Sequence, residues 1–186
     1  MKKMTYKYPD FVTKVDLKSE NGKRYWLNLE IDKNKSDGIT VVLKNPSRAD
    51  KTISDKTVFN VSNYIYKNRE KYSELKNIGN ITILNLMPNY LTDSSGLKEF
   101  KETIIDQENI RTINEYCGKN RNVIIAWGNH PSGLYHEYEK LKTQTKKILT
   151  ENKNQVFYVD KITKAGNPKH AQVWGYENEL KKIAEL

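Results

Sequence analysis

Four short segments bring together residue types that could do chemistry. The first is Asn45-Pro46-Ser47-Arg48-Ala49-Asp50, continuing to Asp55 and Thr57. It offers an amide, hydroxyls, two carboxylates and a guanidinium, a set able to position a water or grip a sugar or base. The same residues also suit ordinary turn chemistry, with Ser54 or Asp55 capping the helix that follows. The second is Asn85, closing the apolar run Ile81–Leu86. A buried amide there needs a partner, either a ligand or a neighbouring loop, and fixing a loop is the simpler job. The third is Trp127-Gly128-Asn129-His130-Pro131. Trp127 either stacks on a base or caps the core, and Gly128 either admits a close backbone approach or starts a turn. The fourth is Lys161–His170, which combines Lys161, Lys164, Lys169 and His170 with Gly166 and Pro168. Such a loop can hold phosphate through cations and backbone donors, with His170 stabilising an anion; the alternative is a solvated basic loop.

Composition narrows the partners. The 186 residues suit one domain with a substantial core, and 37% are hydrophobic against 30% charged. Twelve Tyr and three Trp argue against disorder. A net charge of +9 points to an anion, with nucleic acid (DNA first) or a nucleotide ahead of an acidic protein. A Lys-, Asn- and Ile-rich composition is the plainer reading of the same charge. The single Cys117 excludes an intramolecular disulfide and a cysteine-based zinc site, and reads as a small core residue. His130 and His136 lack a metal-type partner at a useful spacing, so neither a metal nor a cofactor is expected. No apolar run is long enough for a membrane span, and MKKMTYKYPD lacks an apolar signal core, so a cytoplasmic location is expected. Walker loop, dinucleotide fingerprint, nucleophile elbow and zinc-deaminase motif are all missing from the sequence.

The elements that must position these segments follow from periodicity. Val12–Leu17 and Arg24–Ile31 flank Asn21-Gly22, a hairpin signal, giving an N-terminal β-hairpin over about 11–31. Ile39–Leu43, Ile81–Leu86, Val123–Ala126 and Val156–Val159 are short, apolar and β-branched, as buried strands are. Between them, helices are expected over Val58–Arg69, within Leu97–Cys117, over Tyr135–Leu149 and, last, over Glu177–Leu186. The alternation gives a single α/β domain. Its core, about 39–186, would be a mostly parallel four-stranded sheet with helices on both faces, making three layers. Ligands of such sheets bind beyond the carboxyl ends of the strands, and the four segments above all leave those ends.

In this order the segments resemble the uncharacterised bacterial and phage family known as domain of unknown function number 1643. The resemblance runs from about Trp26 to Trp174. It rests on Asn45–Asp50, Asp55 and Thr57, Asn85-Leu86, Ala126-Trp127-Gly128, and Lys164, Gly166, Pro168 and His170, with Asp106–Asn109 a looser match. Ala171 stands where the family has Pro, and Asn89–Thr92 lacks its Arg, which removes an anion contact. More distantly, the layout is similar to the uracil-DNA glycosylase superfamily. That resemblance implies a glycosylase-like domain that binds DNA or a nucleotide and hydrolyses an N-glycosidic bond. Asn45 or Asp50, with Asp55 nearby, would orient the water, and His170 would stabilise the departing base. Trp127 or Tyr90 would stack, while Pro46, Ser47, Arg48, Thr57, Asn85, Gly128, Lys164, Gly166 and Pro168 would line the substrate. The rival expectations are a non-catalytic nucleic-acid or nucleotide-binding module, active in phage–host conflict, and a basic factor that docks an acidic protein.

Overall fold

The structure, a computed structural model, describes residues 6–185. At the N-terminal end β1 (Lys14–Glu20) and β2 (Lys23–Glu30) pair antiparallel. The turn between them places Asn21 at φ 50° and Gly22 at φ 73°, the left-handed pair that a two-residue hairpin demands. The hairpin is no appendage. β2 pairs antiparallel with β4 (Ile78–Asn85), which pairs in parallel with β3 (Asp37–Leu43). β3 continues in parallel to β5 (Asn122–Ile125), and β5 to β6 (Gln155–Val159). The result is one seven-stranded sheet in the order β1-β2-β4-β3-β5-β6-β7, larger than the four strands expected from the sequence.

The helix expected over Glu177–Leu186 is not found among its described residues, 177–185; Leu186 lies outside them. The helix's place is taken by β7 (Leu180–Lys182), antiparallel to β6. Leu180 packs on one core and Ile183 on the other. Two residues three apart on opposite sheet faces are a strand's geometry; a helix would put them on one face.

Helices cover the two faces. α1 (Lys56–Asn68) buries Val58, Val61 and Ile65, a helical stripe, against Val41, Ile81 and Ile83. Each such side chain contributes roughly 1.5–3 kcal/mol of burial. The short α2 (Ser73–Lys76) follows. On the opposite face lie α3 (Gln107–Lys119) and α4 (Tyr135–Glu151), packed over Val42, Leu84 and Ile125. The stretch Leu97–Cys117 divides into the end of a 3-10 segment (Ser94–Thr103) and most of α3. Cys117 is buried in this second core, and burial pushes its thiol up to about 12. No helix among the described residues is long and apolar enough to cross a membrane.

Because β3, β4, β5 and β6 run in one direction, their carboxyl ends share one rim. From this rim leave Lys44-Asn45, Leu86-Met87, Ala126-Trp127 and the 160–170 loop.

Candidate functional site

A cavity of about 440 Å³ opens at that rim, over the N-terminus of α1. Asn45, Ser47, Arg48, Asp55, Thr57 and His170 all stand in its wall, although Asn45 and His170 are 125 positions apart in the chain. The rim therefore brings the Asn-Pro-Ser turn and the late histidine together. Tyr6, Lys44, Lys56, Thr92, Ser94 and Gln172 complete the polar lining.

Each wall residue has a physical reason for its place. Asn45 Nδ2 donates to Pro46 O (3.0 Å) and Leu91 O (2.8 Å), tying the turn after β3 to the loop after β4. Its Oδ1 accepts nothing among the described residues. Arg48 Nε donates to Thr92 Oγ1 (3.2 Å). Asp55 is the N-cap of α1: one oxygen accepts from Val58 N (2.9 Å), the other from Arg48 N (3.2 Å) and Ala49 N (3.3 Å). This carboxylate holds the turn against the helix start, so a water-orienting role would have to compete with three backbone donors. The capping alternative raised for Asp55 is thus occupied.

His170 Nδ1 accepts from Gln172 N (3.2 Å), which assigns the proton to Nε2. Burial, reinforced by Lys44 nearby and opposed by Asp55, lowers this imidazole to about 4. It is neutral near pH 7. Its folded value lies below the ordinary 6.5, so the unfolded chain takes up the proton first as pH falls. Stability is therefore fully present above pH 6.5 and is lost progressively toward pH 4. Between pH 7 and 4.5 His170 is expected to remove about 2 kcal/mol. Urea titrations at the two pH values measure this: His170→Gln should lose about that much less than wild type, and an equal loss in both chains would contradict the assignment.

Gly128 sits directly against this histidine. Its φ is 66°, and a Cβ there would stand 3.0 Å from His170 Cβ. Gly128 N donates to Pro168 O (3.0 Å), while Tyr138 Oη donates to the carbonyls of Trp127 and Gly128, both at 2.9 Å. Gly128→Ala should cost about 1–2 kcal/mol through the left-handed backbone and the forced shift of His170. An unchanged denaturation midpoint would show that this contact is slack.

Several expected residues fall elsewhere. Asp50 Oδ1 accepts from Thr52 N (2.7 Å), Thr52 Oγ1 (2.9 Å) and Ile53 N (2.9 Å). Burial alone would raise this carboxyl, but those bonds outweigh it and hold it below its usual range. Asp50 faces a shallow depression beside Leu17 and Lys51, away from the cavity. Trp127 is 1% exposed in the core beneath α4, so it caps the core and offers no face in this cavity. Gly166 and Pro168 line a separate, smaller hollow, and Lys164 is exposed on the loop. Tyr90 lies beneath the turn, its hydroxyl 3.4 Å from Ala49 O, and Pro46 serves through its carbonyl. Asn85 is fully buried, with neither side-chain atom hydrogen-bonded, while its backbone carbonyl accepts from Asn109 Nδ2 (2.9 Å).

Two residues missed by sequence reasoning matter most. Lys44 lines the cavity, and burial holds its ammonium below the usual lysine value. The signal was adjacency: it is the last residue before Asn45. Arg24 is 1% exposed under the turn, with Nη1 donating to Ala49 O (3.1 Å). A register shift in the hairpin, where Lys18 faces Trp26 but Ser19 faces Arg24, leaves Tyr25 as the extra residue and turns Arg24 inward. No pattern in the sequence marks that bulge. Tyr6, also in the wall, is held by backbone bonds in both directions with Ser54.

Among the described residues no three His, Cys, Asp or Glu side chains cluster as metal ligands do. The cavity's donors suit an anion. The family described as "Protein of unknown function (DUF1643)" matches residues 24–171, four-fifths of the chain, and the chain belongs to it. Neither the curated proteins nor the solved structures gave a match.

Proposed function

For this member of the DUF1643 family, we propose that the rim cavity binds the phosphate of a nucleotide or of a DNA strand. One observation carries the reading. Lys44, Arg48 and Lys56 share the wall, and among the described residues none of them has a carboxylate partner in a salt bridge. The one carboxylate in the wall, Asp55, is engaged by backbone amides. Ser47, Thr57 and the start of α1 add neutral donors beside the cations, the usual surroundings of a bound phosphate. The volume, about 440 Å³, suits one nucleotide unit and not a stretch of duplex. The net charge of +9 would draw in a polyanion from a distance. The test compares deoxyadenosine with its 5′-monophosphate and a short single strand by calorimetry. The phosphorylated ligands should bind at least about tenfold more tightly, with affinity falling as salt rises. Equal affinities would overturn the reading.

Hydrolysis of an N-glycosidic bond within a uracil-DNA glycosylase-like fold is the second reading. What favours it is a pair of uncommitted groups in the same cavity: Asn45 Oδ1, an acceptor able to orient a water, and His170 Nε2–H, a neutral donor for a departing base. Duplexes carrying uracil or modified bases, followed by alkali, would show strand breaks at abasic sites. Intact strands with every base would leave binding alone.

A further inference from the structure

A second hollow lies on the face covered by α4, formed where Trp127 leaves β5 and the 162–168 loop folds back over it. It encloses about 130 Å³. Ile125, Ile162, Pro168 and Ile183 supply apolar wall, and Lys142 and Lys146 reach it from α4. The indole of Trp127 is 1% exposed, and its Nε1–H is buried with no acceptor. Trp127 is one of the residues lining the hollow, and a buried donor left unmet calls for an acceptor oxygen.

We propose that this hollow is a ligand site in its own right, independent of the rim cavity, and that it takes a small aliphatic carboxylate. The carboxylate would accept from the Trp127 indole and lie beside Lys146, with its short hydrocarbon tail on the isoleucines. Lys142 is already committed: its Nζ is 2.7 Å from Asn167 Oδ1 and 2.7 Å from Glu139 Oε1, and so fixes the roof loop. Lys146 is exposed and has no ion pair among the described residues, which leaves it for a ligand. The roof is preformed, because Pro168 O accepts from Gly128 N and Thr163 N donates to Asn167 O. A cavity of about 150 Å³ accepts benzene, so one of this size suits about six heavy atoms, those of butyrate. Glu185 stands in the same wall and opposes an anion.

The three indole N–H signals of the ¹⁵N-labelled chain provide the assay, with Trp127 assigned by elimination using Trp26→Phe and Trp174→Phe. On titration with sodium butyrate the Trp127 signal alone should shift and saturate, with acetate binding more weakly. Lys146→Met, a surface change, should weaken binding about tenfold. Glu185→Gln should tighten it. A drift that never saturates, equal shifts at all three indoles, or indifference to Lys146→Met would overturn the site. Butanol binding as well as butyrate would overturn the carboxylate assignment.

Discussion

A chain carrying both Lys44→Ala and Arg48→Ala is expected to bind a nucleoside monophosphate about 100-fold more weakly than wild type. Each cation would contribute one charge-assisted hydrogen bond, about 1.5–3 kcal/mol at a partly desolvated site, and two at the low end give that factor. Stability should barely change. Lys44 gains nothing from its burial, which already holds its ammonium below the usual value, and Arg48 would lose only its bond to Thr92. Affinity for the unphosphorylated nucleoside should be unaffected. Calorimetry with both ligands separates the outcomes: an equal loss for both would mean that the pocket had collapsed and not that a phosphate contact had gone.

The second large effect is on folding. Asp55→Ala should cost about 3 kcal/mol, since it removes the cap of α1 and leaves the amides of Arg48 and Ala49 without their acceptor. For a domain of this size that is a fall in melting temperature of roughly 6–12 °C. Asp55→Asn keeps one acceptor oxygen and should lie between the two. The contrast with a catalytic role is direct. A general base replaced by asparagine would lose turnover while melting normally, whereas a cap loses stability in proportion to the amides it abandons. Normal melting of Asp55→Ala would contradict the structural role assigned here.

Much of the rim was legible because the physics behind it is local. Short β-branched runs stop at Asn45-Pro46 and Met87-Pro88, so the strands and the edge at which they end follow from periodicity and proline alone. That Asn45 and His170 meet follows from strands running in one direction. Where a residue's neighbour decides its role, the sequence was ambiguous. Trp127 and Asp50 had two readings each, and a packed core and a tight turn took them. Lys44 looked like no more than the stop after a strand ending at Leu43, and only the cavity over α1 makes it part of a site. Arg24 depends on a one-residue bulge, a feature set by pairing with β1 and invisible to a period of two. The C-terminal segment failed for a related reason. Leu180 and Ile183 are spaced as on a helix, and the free edge of β6, a non-local partner, turns them into a strand on two faces.

The most direct test of the phosphate reading is a crystal structure of the chain soaked with deoxyadenosine 5′-monophosphate. The phosphate should lie within hydrogen-bonding distance of Lys44 Nζ and the Arg48 guanidinium, above the first turn of α1. A phosphate bound elsewhere, or an empty rim cavity at a concentration that saturates binding in solution, would contradict it.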